Sequence, residues 1–371
     1  MKRVRVSAGR TPYDVWIGEG VLNRARLRSA VGDGADGILI SSKRVMDLHG
    51  EALVRALRDA GFNSRRTLLL PDGEGAKTPR AFERTLQAMA KAGLDRSSFV
   101  IAFGGGSIGD SAGFAAATYM RGIRFVQIPT TLLSMVDSSV GGKTGINLPS
   151  GKNLVGSFHQ PALVLADVSF LRTLPPREKQ SGVYEILKCG LLKSERLLDL
   201  IANTRGLRRA TTSQMETAIE GAVRIKARIV ERDEREEGDR ILLNLGHTLG
   251  HALEAATAYR VFTHGEAIGY GMEFAVDLGE SLGITSAASA RLMRETILKV
   301  GIRAPIRPEM ATLAQRASLT DKKRQGGHLR EILLGRPQRP LVHRMDAQDF
   351  ARATGRWLTA AAARNTDTSS F

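Results

Sequence analysis

Phe99-Val100-Ile101-Ala102-Phe103-Gly104-Gly105-Gly106-Ser107-Ile108-Gly109-Asp110 is the stretch on which the fold turns. Its first five residues are all apolar and strand-length, as a strand buried on both faces requires. The glycines at 104, 106 and 109 satisfy G-x-G-x-x-G, and the small residues from Gly109 to Tyr119 read as a helix. In a strand-turn-helix setting, bare backbone and a helix N-terminus can hold a pyrophosphate. The loop alone fits a tight, ligand-free turn as well. The acid expected about 20 residues later is missing, and basic Arg121 and Arg124 lie there instead.

On both sides of this stretch short apolar runs alternate with helical patterns. Val4 to Val6, Val15 to Gly18, Gly37 to Ser41, Thr67 to Leu70 and Phe125 to Ile128 read as strands, and about 50–60 and 78–92 as helices. That alternation predicts a mostly parallel sheet covered on both faces. After Pro175-Pro176 the strand-like runs nearly vanish. Helical periodicity dominates at about 180–204, 212–232, 240–256, 265–283 and 286–300. The expected organisation is an α/β Rossmann-like domain over 1–176, an all-α domain over 177–361, and a disordered tail over 362–371.

Bulk properties exclude several classes. A chain of 371 residues suits two cores better than one. No apolar run approaches the roughly 20 residues of a membrane span. The basic N-terminus has no apolar segment behind it, so no signal peptide is expected. The single cysteine, Cys189, cannot form an internal disulfide, which suits a reducing cytoplasm. The net charge of +16 raises the question of nucleic acid, but the basic residues are scattered and only 5% of residues are aromatic, poor for base stacking. An acidic membrane surface and small anionic ligands are the other partners such a charge suits, and solvated Arg and Lys account for much of the excess.

Two glycine-lysine steps, Gly142-Lys143-Thr144 and Gly151-Lys152-Asn153, suit close approach to anions; they fit exposed turns too. Gly142-Lys143-Thr144 is no P-loop, because Asp137 stands where its first glycine belongs. Arg240, Asn244, His247 and His251 fall at i, i+4, i+7 and i+11 of the segment read as one helix, within roughly 60° of one face. A polar stripe among leucines is costly to bury unless its groups have partners. His247 and His251 have metal-ligand spacing, but His-Thr-Leu-Gly-His lacks the glutamate of a zincin protease. His264 follows, and upstream Glu185 and Lys188 share a helix face at i, i+3. A carboxylate with imidazoles makes a catalytic zinc set with one position left open.

These motifs, taken in order, are specific. Gly104 to Asp110, Ala-Ala-Ala-Thr-Tyr-Met-Arg-Gly (115–122), Pro-Thr-Thr-Leu-Leu (129–133), Val-Asp-Ser-Ser-Val-Gly-Gly-Lys-Thr-Gly (136–145) and Gly-Lys-Asn-Leu-Val-Gly (151–156) resemble the 3-dehydroquinate synthase family. So do Glu-Ile-Leu-Lys (185–188), Leu-Asn-Leu-Gly-His-Thr-Leu-Gly-His-Ala-Leu-Glu (243–254) and His-Gly-Glu-Ala (264–267). The likeness runs over about 35–335.

The resemblance implies an NAD-binding N-terminal domain, a zinc-binding helical C-terminal domain (cobalt being an alternative metal) and a cytoplasmic homodimer with neither nucleic acid nor membrane as partner. Gly105, Gly106, Ser107 and Asp110 match the pyrophosphate loop, with Thr130, Thr131, Leu133, Asp137, Ser138, Lys143 and Lys152 nearby and Glu74 and Lys77 on the ribose side. Glu185, His247 and His264 match the metal ligands. Asp137, Lys143, Asn153, Lys188, Lys226, Arg240, Asn244 and His251 match the substrate pocket, with Lys322 or Lys323 as a further lysine. Arg121 matches a residue that reaches a neighbouring subunit's substrate phosphate. The implied reaction oxidises a heptulosonate phosphate with NAD, eliminates phosphate, reduces the ketone again and closes a carbocycle by an aldol step. Three positions depart from the pattern: Ser42 where many relatives carry an acid, Tyr184 in place of a small residue, and Cys189 where Tyr or His is common. The rivals are a related sedoheptulose-phosphate cyclase and a metal-dependent polyol dehydrogenase.

Overall fold

The computed structural model describes residues 1–9, 11–32, 35–62, 66–301, 303–318 and 328–367. In chain order the elements are β1 (Lys2–Val6), β2 (Tyr13–Gly18), α1 (Arg24–Val31), β3 (Gly37–Ser42), α2 (Lys43–Asp59), β4 (Thr67–Leu70), α3 (Pro79–Lys91), β5 (Phe99–Gly104), α4 (Gly106–Thr118), β6 (Arg124–Pro129), β7 (Lys143–Leu148), β8 (Gly151–Phe158) and β9 (Leu163–Asp167). Then come α5 (Pro176–Lys193), α6 (Glu195–Asn203), α7 (Thr212–Arg232), α8 (His247–Ala256), α9 (His264–Ser281), α10 (Ala287–Val300), α11 (Pro308–Ser318), β10 (His328–Leu334), β11 (Pro340–Asp346) and α12 (Ala347–Asp367). They form two compact units, one of Met1–Pro175 with Thr212–Glu236, the other of Pro176–Thr211 with Glu237–Phe371.

The first unit is built on a seven-stranded sheet in the order β1-β2-β9-β6-β5-β3-β4. Only the β1–β2 pair is antiparallel. All six residues of β5 are buried, as its apolar run predicts for a central parallel strand. Ile38, Ile40, Val100, Ala102 and Phe125 pack with Ile108 and Ala112 of α4. Each large side chain buried there contributes roughly 1.5–3 kcal/mol. Helix starts follow local chemistry: Thr78 caps α3 with Pro79 behind it, and Ser42 caps α2 through Val45 N. Ser42 is thus a buried helix cap.

Among its described residues the second unit is helical except for the antiparallel β10–β11 hairpin, which the all-α expectation lacks. In α5 every residue from Ser181 to Leu192 is buried, so this helix is covered all round. Tyr184 fills space against Gly269, where a Cβ would stand 2.6 Å from its ring, and its hydroxyl donates to Gly301 O at 3.2 Å. Cys189 is buried on the same helix.

Three sequence expectations need correction. Helix α7 belongs to the first unit, packing on β1 and β2, so residues 212–236 interrupt the expected contiguous second domain. The segment read as one helix over 240–256 is two pieces, a 3-10 segment Asp239–Asn244 and then α8. Gly246 separates them in the left-handed region (φ +77), and a Cβ there would lie 2.7 Å from Met272 N. Finally, α12 runs into the expected disordered tail as far as Asp367. Lys322 and Lys323 lie outside the described residues.

Candidate active site

In the first unit β5 delivers the glycine loop to the start of α4. Gly105 occupies the N-cap and no side chain caps the helix, so its first N–H groups face outward as an anion site would need. A Cβ on Gly106 would stand 2.8 Å from Ser138 Oγ. That hydroxyl is buried and has no hydrogen-bond partner among the described residues. An uncapped helix N-terminus, a bare glycine and an orphaned hydroxyl beside it fit the phosphate portion of a dinucleotide. Thr131 and Ser134 close the neighbouring turn reciprocally, Thr131 N donating to Ser134 Oγ at 3.2 Å and Ser134 N to Thr131 Oγ1 at 3.1 Å. Thr130 N donates to Gly104 O at 3.0 Å, tying that turn to the loop. Leu133 lies on the same turn, half-buried.

Around the loop the polar side chains hold one another. Lys77 is buried and donates to Asp110 Oδ2 at 2.6 Å and to Asn153 Oδ1 at 2.5 Å. Burial pushes the Asp110 carboxyl up, and the adjacent Lys77 ammonium opposes it. Lys152 reaches Glu74 Oε1 at 3.3 Å, and Asn147 donates to Glu74 Oε2 at 2.5 Å. Lys226, on α7, donates to Asp137 O at 2.7 Å and to Asp137 Oδ1 at 2.5 Å. Lys143 pairs with Glu236. Arg121 stands apart; it is exposed, has φ +66, and makes no hydrogen bond or ion pair among the described residues.

In the second unit three elements bring the expected metal ligands together. Glu185 comes from α5, His247 from the first turn of α8 and His264 from the first turn of α9. Glu185 Oε1 lies 3.8 Å from His247 Nε2 and 3.5 Å from His264 Nε2. Ligands of a tetrahedral cation with bonds of about 2.1 Å stand roughly 3.4 Å apart. One carboxylate and two imidazoles fit a borderline divalent ion such as zinc or cobalt. His247 Nδ1 lies 3.2 Å from Leu245 O; a carbonyl only accepts, so Nδ1 carries the proton and Nε2 is left with its lone pair. Burial would lower the His264 imidazole, but Glu254 and Glu185 hold it up at about 10, so metal uptake must displace a proton there.

Lys188 pairs with Glu185 on α5, both almost fully buried. A buried ion pair of this kind is costly to break, because either partner alone is an uncompensated charge. Arg240 is 2% exposed and lies with Asn244 on the 3-10 segment, which packs against α5, β10 and β11. His251 is exposed one turn beyond His247, the ring centroids 5.3 Å apart. Cys189 belongs to neither donor cluster among the described residues.

Sequence reasoning missed two carboxylates. Glu236 sits in the charged run Glu234-Arg235-Glu236-Glu237, which has no periodicity to single it out. Glu254, 3.3 Å from His264 Nδ1, was legible as the i+3 neighbour of His251.

Comparisons with known proteins agree with this layout. A family model described as 3-dehydroquinate synthase N-terminal matches residues 67–181, and one described as 3-dehydroquinate synthase C-terminal matches 182–324. The 3-dehydroquinate synthase of Pelotomaculum thermopropionicum is 42% identical over 356 residues, 94% of this chain and 95% of that protein. Among solved structures, 2-deoxy-scyllo-inosose synthase complexed with carbaglucose-6-phosphate, NAD+ and Co2+ superposes with a TM-score of 0.85 at 25% identity, over 96% of this chain and 99% of the other. The 2-epi-5-epi-valiolone synthase of Streptomyces hygroscopicus, with NAD+ and Zn2+ bound, gives a TM-score of 0.85 at 27% identity, over 97% of this chain and all of the other. With both family models matched in order across most of its length, the chain belongs to the 3-dehydroquinate synthase family.

Proposed function

We propose that the chain catalyses the 3-dehydroquinate synthase reaction, turning 3-deoxy-D-arabino-heptulosonate 7-phosphate into 3-dehydroquinate and phosphate with NAD and zinc as cofactors. The observation that carries the reading is the convergence of Glu185, His247 and His264 in a chain 42% identical to a synthase of that name over 94% of its length. Identity to the valiolone and scyllo-inosose cyclases is only 25–27%, which disfavours a sedoheptulose-phosphate substrate.

When bound, NAD would accept and return hydride, and the metal would polarise the hydroxyl being oxidised. The chain's own residues do the rest. Gly105, Gly106, Ser107, Thr130, Thr131, Leu133 and Ser138 cradle the cofactor, with Asp110, Glu74, Lys77 and Lys152 around it. Lys143, Asn153, Lys226, Lys188, Arg240 and Asn244 bind the substrate carboxylate, phosphate and hydroxyls, for which charged and bidentate donors are the strongest partners. Asp137 orients Lys226, to which it is already bonded. His251, exposed beside His247, handles a proton during phosphate departure.

We further propose a cytoplasmic homodimer in which Arg121 serves the neighbouring subunit. Supporting it, Leu154, Val155 and Phe158 of β8 are exposed at 43%, 37% and 42%, and Met120 beside Arg121 at 45%. No described helix is long and apolar enough to cross a membrane. The test is a coupled assay with NAD, zinc and the heptulosonate phosphate. Phosphate and dehydroquinate should appear in equal amounts, with no net NADH and with loss of activity on chelation. Turnover of sedoheptulose 7-phosphate instead would move the chain to the rival cyclases, and steady NADH from glycerol-like alcohols to the polyol dehydrogenases.

A further inference from the structure

His264 has two ring nitrogens with different neighbours. Nε2 faces Glu185 Oε1 at 3.5 Å, within the donor set; Nδ1 faces Glu254 Oε2 at 3.3 Å, the long end of hydrogen-bonding range. Glu254 is 7% exposed and lies on α8, two turns after His247. One helix therefore supplies both a ligand and the carboxylate behind a second ligand. A carboxylate can only accept, so Nδ1 keeps its proton, and the proton that metal uptake displaces is the one on Nε2, whose lone pair then serves the ion. His247 reaches the same tautomer through a neutral carbonyl, Leu245 O. The His264 partner differs in carrying a charge, which makes the imidazole a stronger donor as well as an oriented one.

Resting on the metal-site reading above, we propose that Glu254 is a positioning residue for the metal centre, fixing the tautomer and ring orientation of His264 while touching neither metal nor substrate. His251, Glu254 and His264 also form a group close enough to hold an ion themselves. The two uses compete for His264 Nδ1. Glu254 is buried whereas His251 is exposed, which favours the hydrogen bond over a second ion.

The experiment titrates metal-stripped, full-length protein with Co2+, reading visible absorption, stoichiometry and competition with a chelator. Circular dichroism reports folding for each variant. Glu254→Gln should bind one Co2+ about 10–100-fold more weakly than the parent, with a shifted absorption band. Glu254→Asp, which keeps the charge, should fall between them, and it carries the test if Glu254→Gln does not fold. Affinity within threefold of the parent and an unchanged band, in whichever of these variants folds, would overturn the proposal. So would two Co2+ per chain with only the second lost in Glu254→Gln. If the parent binds no Co2+, or His264→Ala leaves binding unchanged, the metal-site reading itself fails and takes the proposal with it.

Discussion

Glycine does opposite work at the loop before α4 in the first unit and at the helix junctions around the donor cluster in the second. In the first unit Gly106 keeps the start of α4 bare, and what a Cβ would meet there is the Ser138 hydroxyl, the end of a small side chain. In the second unit, where α9 meets α5 and the start of α8, the close neighbours are backbone. A Cβ on Gly271 of α9 would fall on the carbonyl of Gly246, and one on Gly265 on that of Ser181. One ion pair from each unit shows the extremes: Lys152–Glu74 is half-exposed, whereas Lys188–Glu185 is buried on α5. Glycine and charge in the first unit leave room for a ligand to arrive. In the second they let helices α5, α8 and α9 approach until three side chains converge.

The largest effect that would sharpen this contrast comes from Gly271→Ala. Backbone cannot rotate away, so we expect at least about 3 kcal/mol of lost stability and no metal site, by denaturant unfolding and Co2+ titration. A variant of near-parental stability would break the comparison. Next is Lys188→Met, which leaves Glu185 an uncompensated buried charge. It should cost about 3–5 kcal/mol in metal-free protein, and added Co2+ should recover part of that by replacing the lost cation. Equal losses with and without metal would show that Glu185 does not face the ion. Lys152→Ala, at the half-exposed pair, should change stability by less than about 1 kcal/mol. Gly106→Ala should also fold normally while NAD binding falls about tenfold, the loss of roughly one hydrogen bond to a charged group, by calorimetry or NADH fluorescence. Unchanged NAD affinity would mean that the loop is only a turn.

How far each unit was legible follows from the same contrast. The glycine loop could be read from sequence because strand, turn and helix are local, and β3, β5 and β6 stand where their apolar runs lie. The β7–β8 and β10–β11 hairpins were missed: β8 is mostly exposed and carries no alternating pattern, and β11 is likewise largely half-buried. The polar stripe from Arg240 to His251 was found, but its geometry was wrong. The break at Gly246 is imposed by α9 packing against it, a contact 25 residues away that periodicity cannot see. The membership of α7 in the first unit is hidden for the same reason, because its apolar face gives no sign of which core it covers. Residue types placed Glu185 with the three histidines as a zinc set, but only the family resemblance singled out His247 and His264, rather than His251, as its ligands.

The smallest expected effect concerns pH and is confined to the first unit. His159 donates from Nε2 to Ile123 O at 2.9 Å and stacks on Phe125, with centroids 5.3 Å apart. Burial lowers its pKa from the ordinary value, the backbone hydrogen bond opposing, and burial lowers His49 too, with Asp167 opposing. For a base whose folded pKa is depressed, the unfolded chain takes up the proton first as pH falls. The associated stability is therefore present in full above the unfolded value near 6.5 and is lost as pH drops below it. Between pH 7.5 and 5.5 the melting temperature should fall, and His159→Gln, which keeps the donor without the titration, should reduce that fall by about one or two degrees. A melting curve with the same pH dependence in parent and variant would mean that the start of β6 beside Phe125 is as open to water as the glycine loop, and the line drawn between sealed and accessible regions would have to move within the first unit itself.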